Sequence, residues 1–101
     1  MAEKKPNVIL VFGDQWRAQA LGYAGDPNVQ TPHLDGLAAE SLNFRNAVSG
    51  CPVCCPARAS LLTGQSPLEH RVIVNDVALG DRATSIAQAF AAGGYDTCLL
   101  Y

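Results

Sequence analysis

Residues 7–12, Asn-Val-Ile-Leu-Val-Phe, form an unbroken apolar and largely β-branched run that stops at Gly13-Asp14. A run of this kind predicts a strand buried on both faces, as in a parallel α/β sheet. A short helical turn is expected over residues 16–21, then a loop over 22–30 from its Gly, Asp, Pro and Asn content. Thr31-Pro32 predicts a helix start, with Thr as cap, Pro in the first position and Asp35 in the first turn. Leu34, Leu37, Ala38 and Ser41 share one face of that helix, an apolar stripe for packing on the sheet.

Residues 42–48 alternate apolar with polar, which predicts a strand with one wet face, and Ser49-Gly50 breaks it. Pro56 at a first helical position and Gly64 just past the end bracket a helix over 56–63, followed by a loop over 64–67. Residues 72–74 read as a small strand or a buried loop. Thr84 is the expected cap of another helix, with Ile86, Ala87, Ala89 and Phe90 as its apolar side and Gly93-Gly94 as its stop. Residues 95–101 then read as a further strand. The alternation of strands and helices predicts an α/β fold: a largely parallel or mixed sheet with flanking helices.

Composition changes this picture little. With 101 residues, 49% hydrophobic and 16% charged, the chain suffices for one small globular domain. Seven basic and nine acidic residues leave a net charge of −2, which supplies no footprint for nucleic acid or an anionic membrane. No stretch approaches the roughly 20 apolar residues of a membrane span, and the apolar run behind Met-Ala-Glu-Lys-Lys-Pro is too short for a signal peptide. The expected location is therefore the cytoplasm, where four cysteines serve as reactive or buried thiols rather than as a disulfide scaffold.

The chemistry concentrates in residues 51–65, Cys-Pro-Val-Cys-Cys-Pro-Ala-Arg-Ala-Ser-Leu-Leu-Thr-Gly-Gln. Cys54 and Cys55 are expected at or just before a helix N-terminus, where free N–H groups favour an anion. Arg58, one turn on, adds a planar positive charge. Asp14 follows the first strand, at the end of a strand where ligands gather in open α/β sheets. It reads either as a ligand for a metal or polar substrate or as a turn residue after Gly13. His33 reads as a surface histidine at a helix start and His70 as structural, while Cys51 and Cys98 read as buried thiols.

The spacing Cys54-Cys55-Pro56-Ala57-Arg58 followed by Leu61-Leu62-Thr63-Gly64 resembles the signature of the formylglycine-dependent sulfatases, of the alkaline-phosphatase-like superfamily. Thr31-Pro32-His33-Leu34-Asp35 is similar to the family's Thr-Pro-Asn-Leu-Asp. The family's first motif cysteine is oxidised by a formylglycine-generating enzyme, and here that residue is Cys54. Ala57 stands where Ser is commoner, and Gln65 where Arg or Lys often follows. The resemblance implies that Asp14 binds a calcium ion, with Gln15 in the place of a second Asp and position 54 beside the metal. Gln15 brings a neutral oxygen and one less negative charge.

The implied reaction is hydrolysis of a sulfate ester, possible substrates including sulfated carbohydrates. Hydrated formylglycine would attack sulfur through one hydroxyl, with Arg58 stabilising the diol. After the alcohol leaves, the second hydroxyl would lose its proton and expel sulfate. The resemblance covers nearly the whole chain but roughly the first fifth to quarter of a family member. The expectation is thus an N-terminal part of a sulfatase catalytic domain, residues 1–101 without internal boundary, poorly active alone. Two alternatives stand beside it. One is a phosphonate monoester or phosphodiester hydrolase of the same superfamily; the other is a non-catalytic module holding zinc or thiols through Cys51, Cys54 and Cys55, completed by Cys98 or a histidine.

Overall fold

A computed structural model describes residues 5–100. The first four residues of the charged N-terminus, and Tyr101 at the end of the last expected strand, lie outside the described residues. The chain divides into two compact units, Met1–Phe44 and Arg45–Tyr101.

In the first unit a 3₁₀ helix at Gly22–Ala24 precedes helix α1, Pro32–Glu40. Pro32 takes the first position as its fixed φ favours, and Thr31 is the flanking residue. Its hydroxyl accepts no backbone N–H of the first turn of its own helix. Thr31 Oγ1 accepts from the Gly22 N–H at 2.8 Å and donates to Asp35 Oδ1 at 2.7 Å. Asp35 Oδ1 also accepts from the Tyr23 N–H at 2.9 Å, so one carboxylate fastens the 3₁₀ helix to α1. A β-carbon on Gly22 would run into that carboxylate, which explains glycine at this point. The apolar stripe on α1 finds no sheet to pack on among the described residues: Leu34, Leu37, Ala38 and, just past the helix end, Ser41 instead line an apolar cavity of about 540 Å³ together with Phe12 and Trp16, and Leu37 stays 62% exposed.

The second unit is arranged around α2, Cys54–Thr63, against which α3, Pro67–His70, and α4, Ile86–Ala92, are packed. Its interior is small and holds Pro56 and Ala59 of α2, His70 and Val72. His70 ties these together. Its Nδ1 accepts from the Val72 N–H at 3.1 Å, so Nε2 carries the proton and faces Ser60 Oγ at 3.0 Å. The structural reading of His70 fits this placement. Ser66 and Glu69 form a capping box on α3, and Ser85 and Gln88 form one on α4. Beyond α4, the Tyr95 ring meets Phe90 edge-on at 5.0 Å.

Four expectations need correction. No strand is formed at 7–12, 42–48 or 95–100 among the described residues, and 72–74 takes the loop alternative, with Val72 buried. The first of these runs is nonetheless strand-like in its side chains. Ile9 and Val11 are 86% and 85% exposed, whereas Val8, Leu10 and Phe12 are 57%, 54% and 53% exposed. That alternation is the period-2 geometry of extended backbone, but a strand needs a ladder of hydrogen bonds to a neighbour, and none is present there. Next, α2 begins at Cys54 rather than Pro56, and Pro56 costs it no hydrogen bond there, because the N–H groups of a first turn have no intrahelical partner. The cap of α4 is Ser85, not Thr84: Ser85 Oγ accepts from the Gln88 N–H at 3.2 Å, a reach fixed by three-residue spacing. Finally, part of the loop expected at 64–67 opens a helix, since Ser66-Pro67-Leu68-Glu69 is itself a capping box.

Candidate functional site

Cys54 and Cys55 occupy the first two positions of α2, and both side chains are half-buried. Val53 precedes them in extended conformation, at φ −119° and ψ 137°, and has no side chain able to cap. Its carbonyl accepts the first bond of the helix, from the Ala57 N–H at 2.9 Å. The Cys55 N–H is met from elsewhere: it donates to Asn75 Oδ1 at 3.0 Å, across twenty residues of sequence. Arg58 lies four positions after Cys54, the spacing that places two side chains on one helix face, and is itself exposed. The helix then closes at Gly64, whose φ of 68° is the left-handed conformation that glycine adopts without penalty. The Cys-x-Pro-Ala-Arg segment is thus a single, well-bounded helix carrying its thiols at the positive end of the dipole.

Asp14 and Gln15 form a turn of the first unit, both exposed, with Gln15 in the left-handed region at φ 53°. The preceding glycine is needed because a β-carbon at Gly13 would come within 2.6 Å of the Trp16 ring. Trp16 is pinned in turn by its Nε1, which donates to the Ala20 carbonyl at 3.0 Å. The two metal candidates therefore share one turn, and the two catalytic candidates share one helix. Asp14 offers a carboxylate and Gln15 an amide carbonyl, the hard oxygen donors that suit calcium or magnesium. Among the described residues no three or more His, Cys, Asp or Glu gather into a metal-binding group, so the chain offers donors of the right type, not a full set. Cys51, Cys54, Cys55 and Cys98 are all free thiols, and among the described residues they do not gather with other donors into a group of three or more. Cys51 is half-buried and Cys98 exposed, so neither is the buried thiol expected of it. His33 is exposed on α1, in keeping with a surface histidine.

Asn75 is the residue that sequence reasoning missed. Its turn signal, Asn75-Asp76, was visible, and so was the lack of a capping residue at Val53. Their connection was not, because nothing in the sequence between them announces a contact.

Residues 6–101 match the family model described as Sulfatase. The chain belongs to the sulfatase family. It is 56% identical over 93 residues to an ulvan-active sulfatase of Formosa agariphila, covering 92% of this chain and 18% of that protein. An arylsulfatase of Clostridium perfringens is 42% identical over 94 residues, covering 92% of this chain and 20% of its own length. Among solved structures, a phosphonate monoester hydrolase of Agrobacterium radiobacter superposes with a TM-score of 0.84 at 40% identity, over 91% of this chain and 18% of that one. The architecture is accordingly that of the alkaline-phosphatase-like superfamily. The chain spans about one fifth of the length of the curated relatives it matches.

Proposed function

We propose that this chain is the nucleophile-bearing part of a sulfuric ester hydrolase, with Cys54 as the residue converted to formylglycine. The observation that carries this reading is the position of Cys54. It is the first residue of a helix, half-buried, one turn before Arg58, within the Cys-x-Pro-Ala-Arg spacing of a sulfatase-family chain. The first-turn N–H groups and the dipole of α2 stabilise negative charge at residue 54. Arg58 adds a fixed cation on the same face and neutralises the anionic ester. Pro56, buried and without an N–H, stiffens the turn between them.

Asp14 and Gln15 are assigned to a divalent metal such as calcium, a hard cation that takes carboxylate and amide oxygens as ligands. When bound, such an ion polarises the sulfate oxygens and lowers the barrier to attack at sulfur. The sheet expected to complete the fold includes residues 7–12, whose alternating exposure supports an extended conformation ready for pairing. The named relatives support a sulfated carbohydrate or aryl sulfate as substrate class, one being ulvan-active and another an arylsulfatase.

Mass spectrometry of the tryptic peptide 46–58 tests the reading directly. Conversion of Cys54 to formylglycine makes it about 18 Da lighter. Expression in a host that contains a formylglycine-generating enzyme should yield that product at residue 54 and not at residue 55. A peptide with every cysteine unmodified would overturn the assignment.

A second reading is favoured by the phosphonate monoester hydrolase that superposes on this chain. Paired turnover assays with an aryl sulfate and a phosphonate monoester on the complete enzyme separate the two.

A further inference from the structure

Helix α2 starts where local preference says it should not. Cys55 precedes a proline, and clash with the proline ring disfavours helical backbone at that position. Val53 offers no side-chain cap, and the helix carries no acidic residue in its first turn. Left to its own sequence, the helix would begin at Pro56. It instead includes Cys54 and Cys55, and the Cys55 N–H is held at 3.0 Å by Asn75 Oδ1. We infer that Asn75 is a positioning residue: its side-chain amide oxygen caps α2 in trans and sets residue 54 in the first turn of the helix.

The loop that delivers Asn75 is built for this. Arg71 and Asp76, at its two ends, both adopt left-handed backbone with φ 66°, a conformation uncommon for residues other than glycine. Val72 is buried to 2% exposure, and its N–H is fixed by His70 Nδ1. His70 also bonds Ser60 near the middle of α2. The loop is therefore fastened to the helix at two points: Ser60 through His70, and Cys55 through Asn75. The first anchor fixes where the loop lies. The second fixes where the helix begins. Glycine or alanine at position 75 would leave the first anchor intact and release the second.

This inference deepens the role proposed for Cys54, but its first test does not depend on that role. Amide exchange in the full chain should show the Cys55 N–H protected. Asn75→Ala should speed its exchange about fivefold or more, the size of a lost helix cap, while the Val72 amide changes little. Asn75→Asp, which keeps an acceptor oxygen in place, should restore protection. If Asn75→Ala does not fold, the comparison of wild type with N75D decides the matter. Exchange of the Cys55 amide at the rate of an unstructured peptide in wild type, or equal exchange in wild type and N75A, overturns the cap. So does N75D exchanging as fast as N75A in a folded chain.

In the complete enzyme, N75A should lower kcat for an aryl sulfate at least about tenfold with KM within about twofold, as expected when a reacting group is misplaced rather than substrate binding lost. A raised KM with unchanged kcat would overturn the positioning role. An enzyme with no sulfatase activity at all, but with the exchange pattern described, would count against the proposed function and leave the cap standing.

Discussion

Glu69 shows how much one exposed carboxylate can organise. It is the third residue of α3, and its Oε2 accepts from the Ser66 N–H at 2.8 Å, closing the capping box. That backbone bond, then the Ser66 side chain and the nearby His70, hold its carboxyl below the usual glutamate range. A folded-state value below the unfolded one means stability that is present above the ordinary glutamate range and lost as pH falls through the depressed value. We expect the Ser66 amide resonance to titrate with Glu69, at a pH below that of an unstructured glutamate. Glu69→Gln, which keeps an acceptor oxygen, should abolish that titration while the turn persists. A Ser66 amide indifferent to acid would show that the box does not form. Ser66-x-x-Glu69 was fully legible in the sequence, yet the Pro and Gly around it favoured a loop. Asn75 was not legible, because a cap supplied from twenty residues away leaves no local spacing to read.

Among the elements, α1, α2 and α4 were readable where the strands were not, for a physical reason. A helix closes its hydrogen bonds within a few residues, so Pro32, Gly64 and Gly93 mark its limits locally. The error at the start of α2 has a local origin: Pro56 costs no hydrogen bond in a first turn, whose N–H groups have no intrahelical partner, so its presence does not say which position it holds. A strand exists only through its neighbours, and the runs at 7–12 and 42–48 carry the pattern without the ladder. The end of α2 offers a clean measurement. A β-carbon at Gly64 would meet nothing within 4 Å, so substitution costs only the left-handed backbone. Gly64→Ala should therefore destabilise the second unit by about 1 kcal/mol, and Gly64→Asn by less, in urea unfolding. An alanine variant as stable as wild type would mean that the helix can end without the left-handed residue.

For the molecule as a whole, the quantity that matters is how little apolar surface is enclosed. The second unit buries Ala59 and Val72, whereas Val8 through Phe12, Phe44, Leu99 and Leu100 are more than half exposed. Contiguous exposed apolar runs of this kind are what interaction surfaces look like, and an extended run adds unpaired backbone groups to the attraction. The sulfatase relatives are about five times longer than the span they share with this chain, so in a complete member the run has other chain to pack against. One pair of substitutions should therefore have opposite effects in two contexts. In the isolated chain, Ile9→Lys with Val11→Lys puts charge on two side chains that already face solvent. Self-association and binding of an apolar dye should fall, with the helical circular dichroism unchanged. In a complete enzyme, where the run is expected inside the sheet, the same two lysines would bury unpaired ammonium groups and cost several kcal/mol of stability. Equal tolerance in both contexts would show that residues 7–12 stay on the surface of the finished fold. Loss of helical signal in the isolated chain would show instead that the run already supports the small core of the first unit.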